Sequence, residues 1–490
     1  MNAVYLKYLK YALLAALIYI PLFGHLGTLP IRIWDEARLA INAYEMLNGG
    51  DYIVTHFEGA PDMWNTKPPL LIWIQVLFMK IFGVNEVAVR LPSALAGLFT
   101  CIVLLIFSRK YFKINSIGFI TVFVLITSYG YINLHATRTG DYDALLTLFT
   151  TLGGLLFFSF CETKNYKHLY LFFLFTAFGV LTKSITGMLF IPAIFIYSII
   201  QKQFIPLLKS KHFYFGLLSF LVLVFGYYFL REAYNPGYIA AVQENELGGR
   251  FLEVLEDHQH GFLFYFDNFI DLHFSYWHLL VPCGIITGFV IKNKKINRIT
   301  LFSTLMITTF FLIISTAQTK IKWYDVPLYP FLAIITAIFI YYIFETLKNN
   351  KTFNQTLSVN IIPFIFLFLI GITPYQNILD RTYKPKESGQ EIEFYEIGYY
   401  LKDAVKGKHD LNNKFVLYDG YYAQNLFYLN ILNDKGVNVQ FKDWTKLDTN
   451  DIVIAHQEEV KEYLEEHYNY EIIHTEGNVI TYKIYGSKEQ

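Results

Sequence analysis

Charge is scarce in this sequence. Only 16% of its 490 residues are Asp, Glu, Lys or Arg, while 54% are hydrophobic and 18% aromatic. A soluble globular chain carries about 25% charged residues, so the deficit points to a bilayer protein. The charge that is present cancels: 40 Lys and Arg against 40 Asp and Glu give a formal net charge of 0. There is no basic excess to draw nucleic acid, and none is expected as a partner. Cysteine is scarce too. Cys101, Cys161 and Cys283 all fall in apolar stretches, and an odd, scattered set makes neither a disulfide framework nor a zinc ribbon. They read as small membrane-packing residues. No internal repeat and no low-complexity tract is evident.

What the sequence does have is apolar runs able to cross about 30 Å of hydrocarbon. They lie near 11–29, 91–108, 117–134, 144–160, 169–181, 185–200, 213–230, 275–291, 299–315, 327–345 and 358–372. That predicts a mostly α, polytopic membrane protein with about eleven spans in a membrane domain covering 1–375. Lys7 and Lys10 precede the first run as in a signal peptide, but no small-x-small cleavage site follows, so a retained first helix is expected.

The connections between runs are of two kinds. One set is short and basic: Arg109, Lys110 and Lys113; Lys164 and Lys167; Lys202, Lys209 and Lys211; Lys292, Lys294, Lys295 and Arg298; Lys348 and Lys351. The Lys/Arg bias of short loops marks cytoplasmic connections. The alternating set is long or mixed in charge, covering 32–90, 135–143, 182–187, 231–271 and 316–325. It is therefore expected on the outer face of the inner membrane, together with nearly every residue capable of chemistry. From about 376 the composition turns polar. KFVLYDG, NVQF, DIVIAH, EIIHT and NVITYKIY read as short strands and EEVKEYLEEHY as a helix, giving a small extracytoplasmic α/β domain over 376–490. Structural or acceptor-docking roles suit it better than chemistry.

The chain is organised around 34–69, the first outer loop. Residues 35–47 read as an amphipathic helix ended by Asn48-Gly49-Gly50. A spacing of three puts Asp35 and Arg38 on one face. Pro68 and Pro69 suit the start of a second, interfacial helix that Gly83 would end. Asp35 and Glu36 sit where an apolar wall can ready a carboxylate as a general base; alternatively, Asp35 simply caps its helix. Lys67 could hold a lipid phosphate as a point charge, or snorkel at the interface. In His135-Ala-Thr-Arg138-Thr-Gly-Asp141-Tyr-Asp143, the two acids could orient a sugar hydroxyl or act as a second base. The bland reading is helix-terminal charge favoured by the macrodipole. Lys183 leans toward a structural role. In the 231–271 loop, His258 and His260 with nearby carboxylates could bind a divalent metal, although solvated loops are commoner. Lys320, Lys322, Trp323 and Tyr324 read partly as an aromatic belt. Acids, cations and aromatics gathered on one membrane face suit a reaction with a phosphate leaving group and a hydroxyl or amine acceptor.

The ordered series DEAR, NTKPPLLIW, NEVAVRLPSALAG, TRTGDYDALLTLF, LTKSITG and TKIKWYDVPLYP resembles the GT-C fold membrane glycosyltransferases. The branch in question holds the protein O-mannosyltransferases and the aminoarabinose transferases that modify lipid A in the cell envelope. The resemblance covers roughly 30–335. It implies an inverting hexosyl- or pentosyltransferase that takes its sugar from a polyprenyl-phosphate donor and passes it to a lipid, protein or glycan acceptor. Carried over by motif, Asp35 would be the base or acceptor-orienting acid and Asp143 the acid opening the fourth span. Arg38, Lys67, Tyr324 and Lys322 would meet the carrier phosphate, and Glu36, Arg138 and Asp141 would contact acceptor or sugar. Leu39 stands where the family has an aromatic residue. Thr66 stands where the aminoarabinose branch has a Glu that helps hold a metal with histidines to which His258 and His260 would correspond. A transporter or flippase for a lipid-linked saccharide is the alternative. It would place polar groups near the bilayer midplane, whereas these spans hold almost none. An oligosaccharide polymerase or ligase would keep the outer-face chemistry and change the substrate.

Overall fold

The computed structural model describes residues 3–249, 259–356 and 360–488. Its first seven helices are α1 (Ala3–Phe23), α2 (Asp35–Gly49), α3 (Leu70–Phe82), α4 (Glu86–Tyr111), α5 (Asn115–Ile126), α6 (Tyr142–Thr163) and α7 (Tyr166–Lys183). Seven helices among the described residues are long and apolar enough to cross a membrane: α4, α6, Tyr166–Met188, Lys211–Tyr234, Lys294–Thr316, Lys322–Lys348 and Ile362–Thr382. Shorter apolar helices are Tyr8–Phe23, α3, α5, Ile191–Ile200 and Leu280–Val290. Each of the eleven apolar runs falls on one of these helices, and α3 is the helix expected after Pro69.

The spans divide by environment. In α6 and in Lys322–Lys348, 78% of the apolar window is buried inside the protein, against 22% in Lys211–Tyr234 and Ile362–Thr382. A helix apolar all round must be covered by protein or by lipid. The first pair are the central posts of the bundle. The second pair turn Phe215, Val222, Phe229, Phe364 and Phe368 outward, to lipid.

One run ends early. Helix α5 stops at Ile126, not near 134, and residues 127–141 form an irregular but mostly buried segment. The Thr127 and Ser128 hydroxyls donate back to the carbonyls of Phe123 and Val124, a local competition that loosens a helix end. Twelve residues at about 1.5 Å each span only about 18 Å. The segment after α5 therefore enters the bundle as irregular backbone covered by protein, which is where a membrane protein tolerates it.

The loop after α1 folds as its turn signals predict. Gly50 closes α2 in the left-handed region (φ 72) with its N–H on Met46. A two-stranded ribbon follows, β1 (His56–Phe57) against β2 (Ala60–Pro61), and α3 ends at Gly83 (φ 76).

Ile362–Thr382 runs past residue 375 before the polar domain begins. That domain holds a five-stranded sheet in the order β4-β3-β5-β7-β6, built from β3 (Lys414–Val416), β4 (Val439–Phe441), β5 (Ile452–Ala455), β6 (Tyr468–Glu476) and β7 (Val479–Ser487). Strand β3 pairs in parallel with β4 and β5, while β7 is antiparallel to β5 and β6. The domain is joined to the bundle by a shared core: Leu39 and Ile41 of α2, Leu71 and Ile72 of α3, and Leu401, Phe427 and Leu432 belong to one cluster. Polar contacts fasten the same seam. Tyr428 Oη accepts from the Ile31 N–H (3.0 Å) and donates to Glu86 (2.8 Å). Lys402 pairs with Glu86 at 3.0 Å, and Arg32 makes a bidentate pair with Glu387 while lying 4.1 Å over the Tyr395 ring.

Candidate active site

The site is built on one buried brace. Glu36, in the first turn of α2, is fully buried. It accepts from Arg90 Nε (2.7 Å) and Nη2 (2.8 Å) of α4, from the Arg32 N–H (2.8 Å) and from the Gly140 N–H (2.8 Å). Arg90 spends its remaining donors on the carbonyls of Leu26, Leu29 and Pro30. Burial works to raise the Glu36 carboxyl, but Arg90 and the two backbone donors outweigh it and hold it below the usual carboxylate range. Gly140 allows the close approach: a Cβ there would lie 2.4 Å from Val89 Cγ1. One carboxylate thus ties the first loop, α4 and the 127–141 segment together. Expected as a sugar or acceptor contact, Glu36 has both carboxylate oxygens engaged in these hydrogen bonds.

Asp35, its neighbour in sequence, stands outside that brace. Trp34, not Asp35, is the N-cap residue of α2, and no side chain caps the helix, so the capping role is not the one Asp35 plays. Trp34 has a positive φ of 66 and stacks on Tyr421 of the polar domain, 4.5 Å between centroids. The Asp35 carboxylate keeps about a third of its exposure and lies 4.0 Å from His135 Nδ1. His135, also at positive φ (60), lies flat on Trp323 at 3.6 Å. Its Nδ1 is 3.5 Å from Asp141 Oδ2. Asp141 precedes α6 without capping it; it accepts instead from the Thr139 hydroxyl. Its other oxygen, Oδ1, is buried without a hydrogen-bond partner, as is His135 Nδ1. Burial, then Asp35 and Glu36, push the Asp141 carboxyl well above its usual range, and burial keeps His135 below its ordinary value despite those acids.

Cations close the other sides. Lys183 Nζ contacts both oxygens of Asp143 at 2.6 Å, deep in the protein, and lies 4.9 Å from the Tyr324 ring centroid. A tight reversal puts it there: α7 ends at Lys183, Ser184 has φ 49, and a Cβ on Gly187 would lie 2.4 Å from the Gly179 backbone. Lys67 pairs with Glu246 at 3.1 Å and faces the Tyr142 ring. Asp35 and Lys67 both act electrostatically on Asp143, so these groups share one space. Arg38 is held by Asp62 through Nε (2.8 Å) and Nη2 (2.7 Å) over the Phe57 ring. Asp62 also accepts from Asn42 and from the Trp64 and Asn65 N–H groups, which fixes the path of the chain into Lys67.

Two expected contacts, Arg138 and His260, have their partners elsewhere. Arg138 turns toward the end of α1 and donates to the carbonyls of Pro21 (3.1 Å) and Gly24 (2.6 Å). Burial and Arg90 bring its pKa down to about 10. Expected as a sugar contact, Arg138 closes a helix end in this structure. His260 is exposed and stacks on Phe264 at 4.1 Å; His258 lies outside the described residues. Lys322 is exposed at the start of the turn that carries Tyr324. Sequence reasoning assigned no role to Asp62 or His135, counted Glu246 among the carboxylates near His258 and His260, and leaned to structure for Lys183. Asp62 had a visible signal, a lone acid 24 residues from a loop arginine. Glu246 had none, because its partner is 179 positions away.

For a divalent metal, the fitting donor set is Asp35, His135 and Asp141, whose ligand atoms all lie within 4.8 Å of one another. The corner at Thr66 does not fit. Its hydroxyl meets Glu246 at 3.4 Å, and that carboxylate already neutralises Lys67.

This grouping of buried acids and cations sits at one end of a membrane bundle whose fold is shared with known proteins. The family of Dolichyl-phosphate-mannose-protein mannosyltransferases matches residues 66–228. An uncharacterized protein of Aquifex aeolicus is 27% identical over 372 residues, 74% of this chain and 68% of that protein. The undecaprenyl phosphate-alpha-4-amino-4-deoxy-L-arabinose arabinosyl transferase of Shewanella sediminis is 27% identical over 389 residues, 75% of this chain and 68% of that one. In fold, the chain is similar to the crystal structure of ArnT from Cupriavidus metallidurans bound to undecaprenyl phosphate, with a TM-score of 0.72 over 98% of both chains at 14% identity. The chain is a multi-pass membrane protein with the GT-C fold, and over residues 66–228 it is similar to that mannosyltransferase family.

Proposed function

We propose that this protein is an inverting glycosyltransferase that moves a sugar from a polyprenyl-phosphate carrier to a hydroxyl or amine acceptor. We place the site and the polar domain on the outer face of the cytoplasmic membrane, because the basic loops gather at the opposite end of the bundle. The observation that carries the reading is the contrast within one dipeptide: Glu36 is sealed, while Asp35 keeps exposed carboxylate beside a set of buried cations.

In this reading the acceptor oxygen or nitrogen attacks the anomeric carbon as the bond to the carrier phosphate breaks, and Asp35 takes the acceptor's proton. The bonding pair leaves with the phosphate, whose charge Lys67 and Arg38 neutralise. Asp62 pre-sets the Arg38 fork. Asp143 holds Lys183 under Tyr324, and His135 with Asp141 fixes the wall beside Asp35. A divalent ion held by Asp35, His135 and Asp141 would add charge neutralisation at the same place. The Shewanella sediminis relative and the matching family are named for sugars carried on undecaprenyl and dolichyl phosphate, which supports the donor class.

The test is mass spectrometry of membrane lipids and glycoconjugates from cells carrying the wild type or Asp35→Asn. Loss of a single sugar from one glycoconjugate, with accumulation of the polyprenyl-phosphate sugar, is expected in the variant. Accumulation of an intact lipid-linked saccharide on the cytoplasmic side would instead mean transport. General-base loss predicts a fall in turnover of about 10²–10⁴-fold, with the fold retained.

A further inference from the structure

A second grouping of ligand-type side chains lies in the polar domain, far in sequence from the site above. His409 sits on the connection between the helix Glu396–Val405 and β3, while His474 and Glu476 lie near the end of β6. His409 Nε2 is 3.5 Å and His474 Nε2 3.7 Å from the same oxygen, Glu476 Oε2, and all three ligand atoms lie within 4.8 Å of one another. We propose that His409, His474 and Glu476 form a binding site for a divalent transition cation of the zinc type, which staples the β6–β7 hairpin to the helix that docks the domain on the membrane bundle.

Local structure aims the three groups. Residues two apart on a strand face the same way, which brings His474 and Glu476 together. The pairing of β6 with β7 shifts register between Ile472 and His474, and such a bulge re-aims the side chains that follow it. The His409 ring is stacked on Tyr400 at 4.4 Å, 14° from parallel, so its orientation is set before any ligand arrives. Its Nε2 is shielded from solvent and has no hydrogen-bond partner. An unsatisfied buried nitrogen costs free energy, and a metal ion recovers it.

The donor chemistry selects the ion. Imidazole and carboxylate suit zinc, nickel and copper, while calcium and magnesium require mostly oxygen. With metal–ligand bonds of about 2.0–2.2 Å, donors 3.5–3.7 Å apart need only a small closure to share one ion. Three protein ligands leave a position for water. His474 and Glu476 are each half-exposed, so the ion can enter from solvent.

The position gives the cation a mechanical role. Glu396, at the head of the docking helix, already accepts from the backbone and side chain of Asn478 in the turn between β6 and β7. Lys402, one side of the same helix, donates to Thr28 and pairs with Glu86 in the membrane bundle. A cation at His409 adds a second fastening between sheet and helix.

The experiment is calorimetric titration of the full-length, detergent-solubilised protein with zinc chloride, followed by thermal unfolding with and without zinc. An Asp141→Asn background removes the candidate donor set near Asp35. One zinc per chain with a dissociation constant in the micromolar range or below is expected in that background. His474→Ala and His409→Ala are each expected to weaken it at least tenfold and to abolish the zinc-dependent rise in melting temperature. His474→Ala, on an exposed strand position, keeps the test valid if His409→Ala does not fold. X-ray absorption at the zinc edge should show two imidazole ligands. Zinc binding that is absent in the Asp141→Asn background, or unchanged in His474→Ala, would overturn the proposal.

Discussion

The two ends of the helical bundle hold charge in opposite ways. At the end lined by short basic loops, Arg298 pairs with Glu162 at 2.9 Å with its own side chain 46% exposed, and Lys295 donates to a backbone carbonyl. At the other end, Glu36–Arg90, Asp143–Lys183, Asp62–Arg38 and Lys67–Glu246 are all largely withdrawn from water. Burying an ion pair costs several kcal/mol of desolvation per ion, which attraction repays only with excellent geometry and further hydrogen bonds. The first end keeps one partner of its pair in water. The second buries both partners four times within one neighbourhood, and leaves the Asp35 carboxylate about a third exposed. On the proposed function, the second pattern is the fixed electrostatics that a reacting group would need.

Glu36→Ala tests this contrast most severely. It leaves the Arg90 guanidinium buried without its carboxylate, at a cost of about 3–5 kcal/mol. We expect poor accumulation and a lowered melting transition in detergent, together with loss of activity as Asp35 is released from its scaffold. Lys67→Ala is next. Removing one charged hydrogen-bond donor is worth about 1.5–3 kcal/mol, so carrier-phosphate affinity should fall about 10- to 100-fold, together with a lowered melting transition because Glu246 loses its buried partner. Unchanged affinity, measured by lipid-binding assay, would return Lys67 to a structural role.

A smaller effect separates buried from exposed acids by pH. Burial, Asp35 and Glu36 raise Asp141 above its ordinary value of 3.8, so over that window the folded state holds a proton the unfolded state has lost. Stability then falls as pH rises from about the ordinary value through the raised one. Asp141→Asn should match the wild type below the window and become progressively more stable than it across the window, seen as diverging melting curves. Glu162→Ala, at the basic end, should change stability by about 1 kcal/mol or less and leave activity intact. A large effect there would erase the distinction between the two ends.

The bundle was legible because lipid imposes a rule on composition: every span had to be apolar, and each apolar run became a helix. The polar domain was legible for another reason. Short alternating runs such as DIVIAH and NVITYKIY leave few options besides strands, and they are β5 and β7. Motif order located the site, since DEAR, GDYD and LTKS all contribute to it. What sequence could not tell was which member of a pair would be sealed. Asp35 and Glu36 are adjacent and chemically alike, and their fates are decided by Arg90 and Gly140, 54 and 104 positions away. Arg138 and Lys183 exchanged expectations for the same reason. A turn at Ser184 sends the lysine to Asp143, while the end of α1 captures the arginine.

The stack of Trp34 on Tyr421 carries a consequence for how the protein comes into being. Ribosomes deliver Asp35 more than 350 residues before the groups that hold its stretch of backbone, Glu387, Tyr395, Tyr421 and Tyr428. A nascent chain already threaded through the membrane therefore holds Asp35 long before it holds the clamp that fixes this stretch of backbone. Until the polar domain docks, the mouth of the first loop lacks its outer wall.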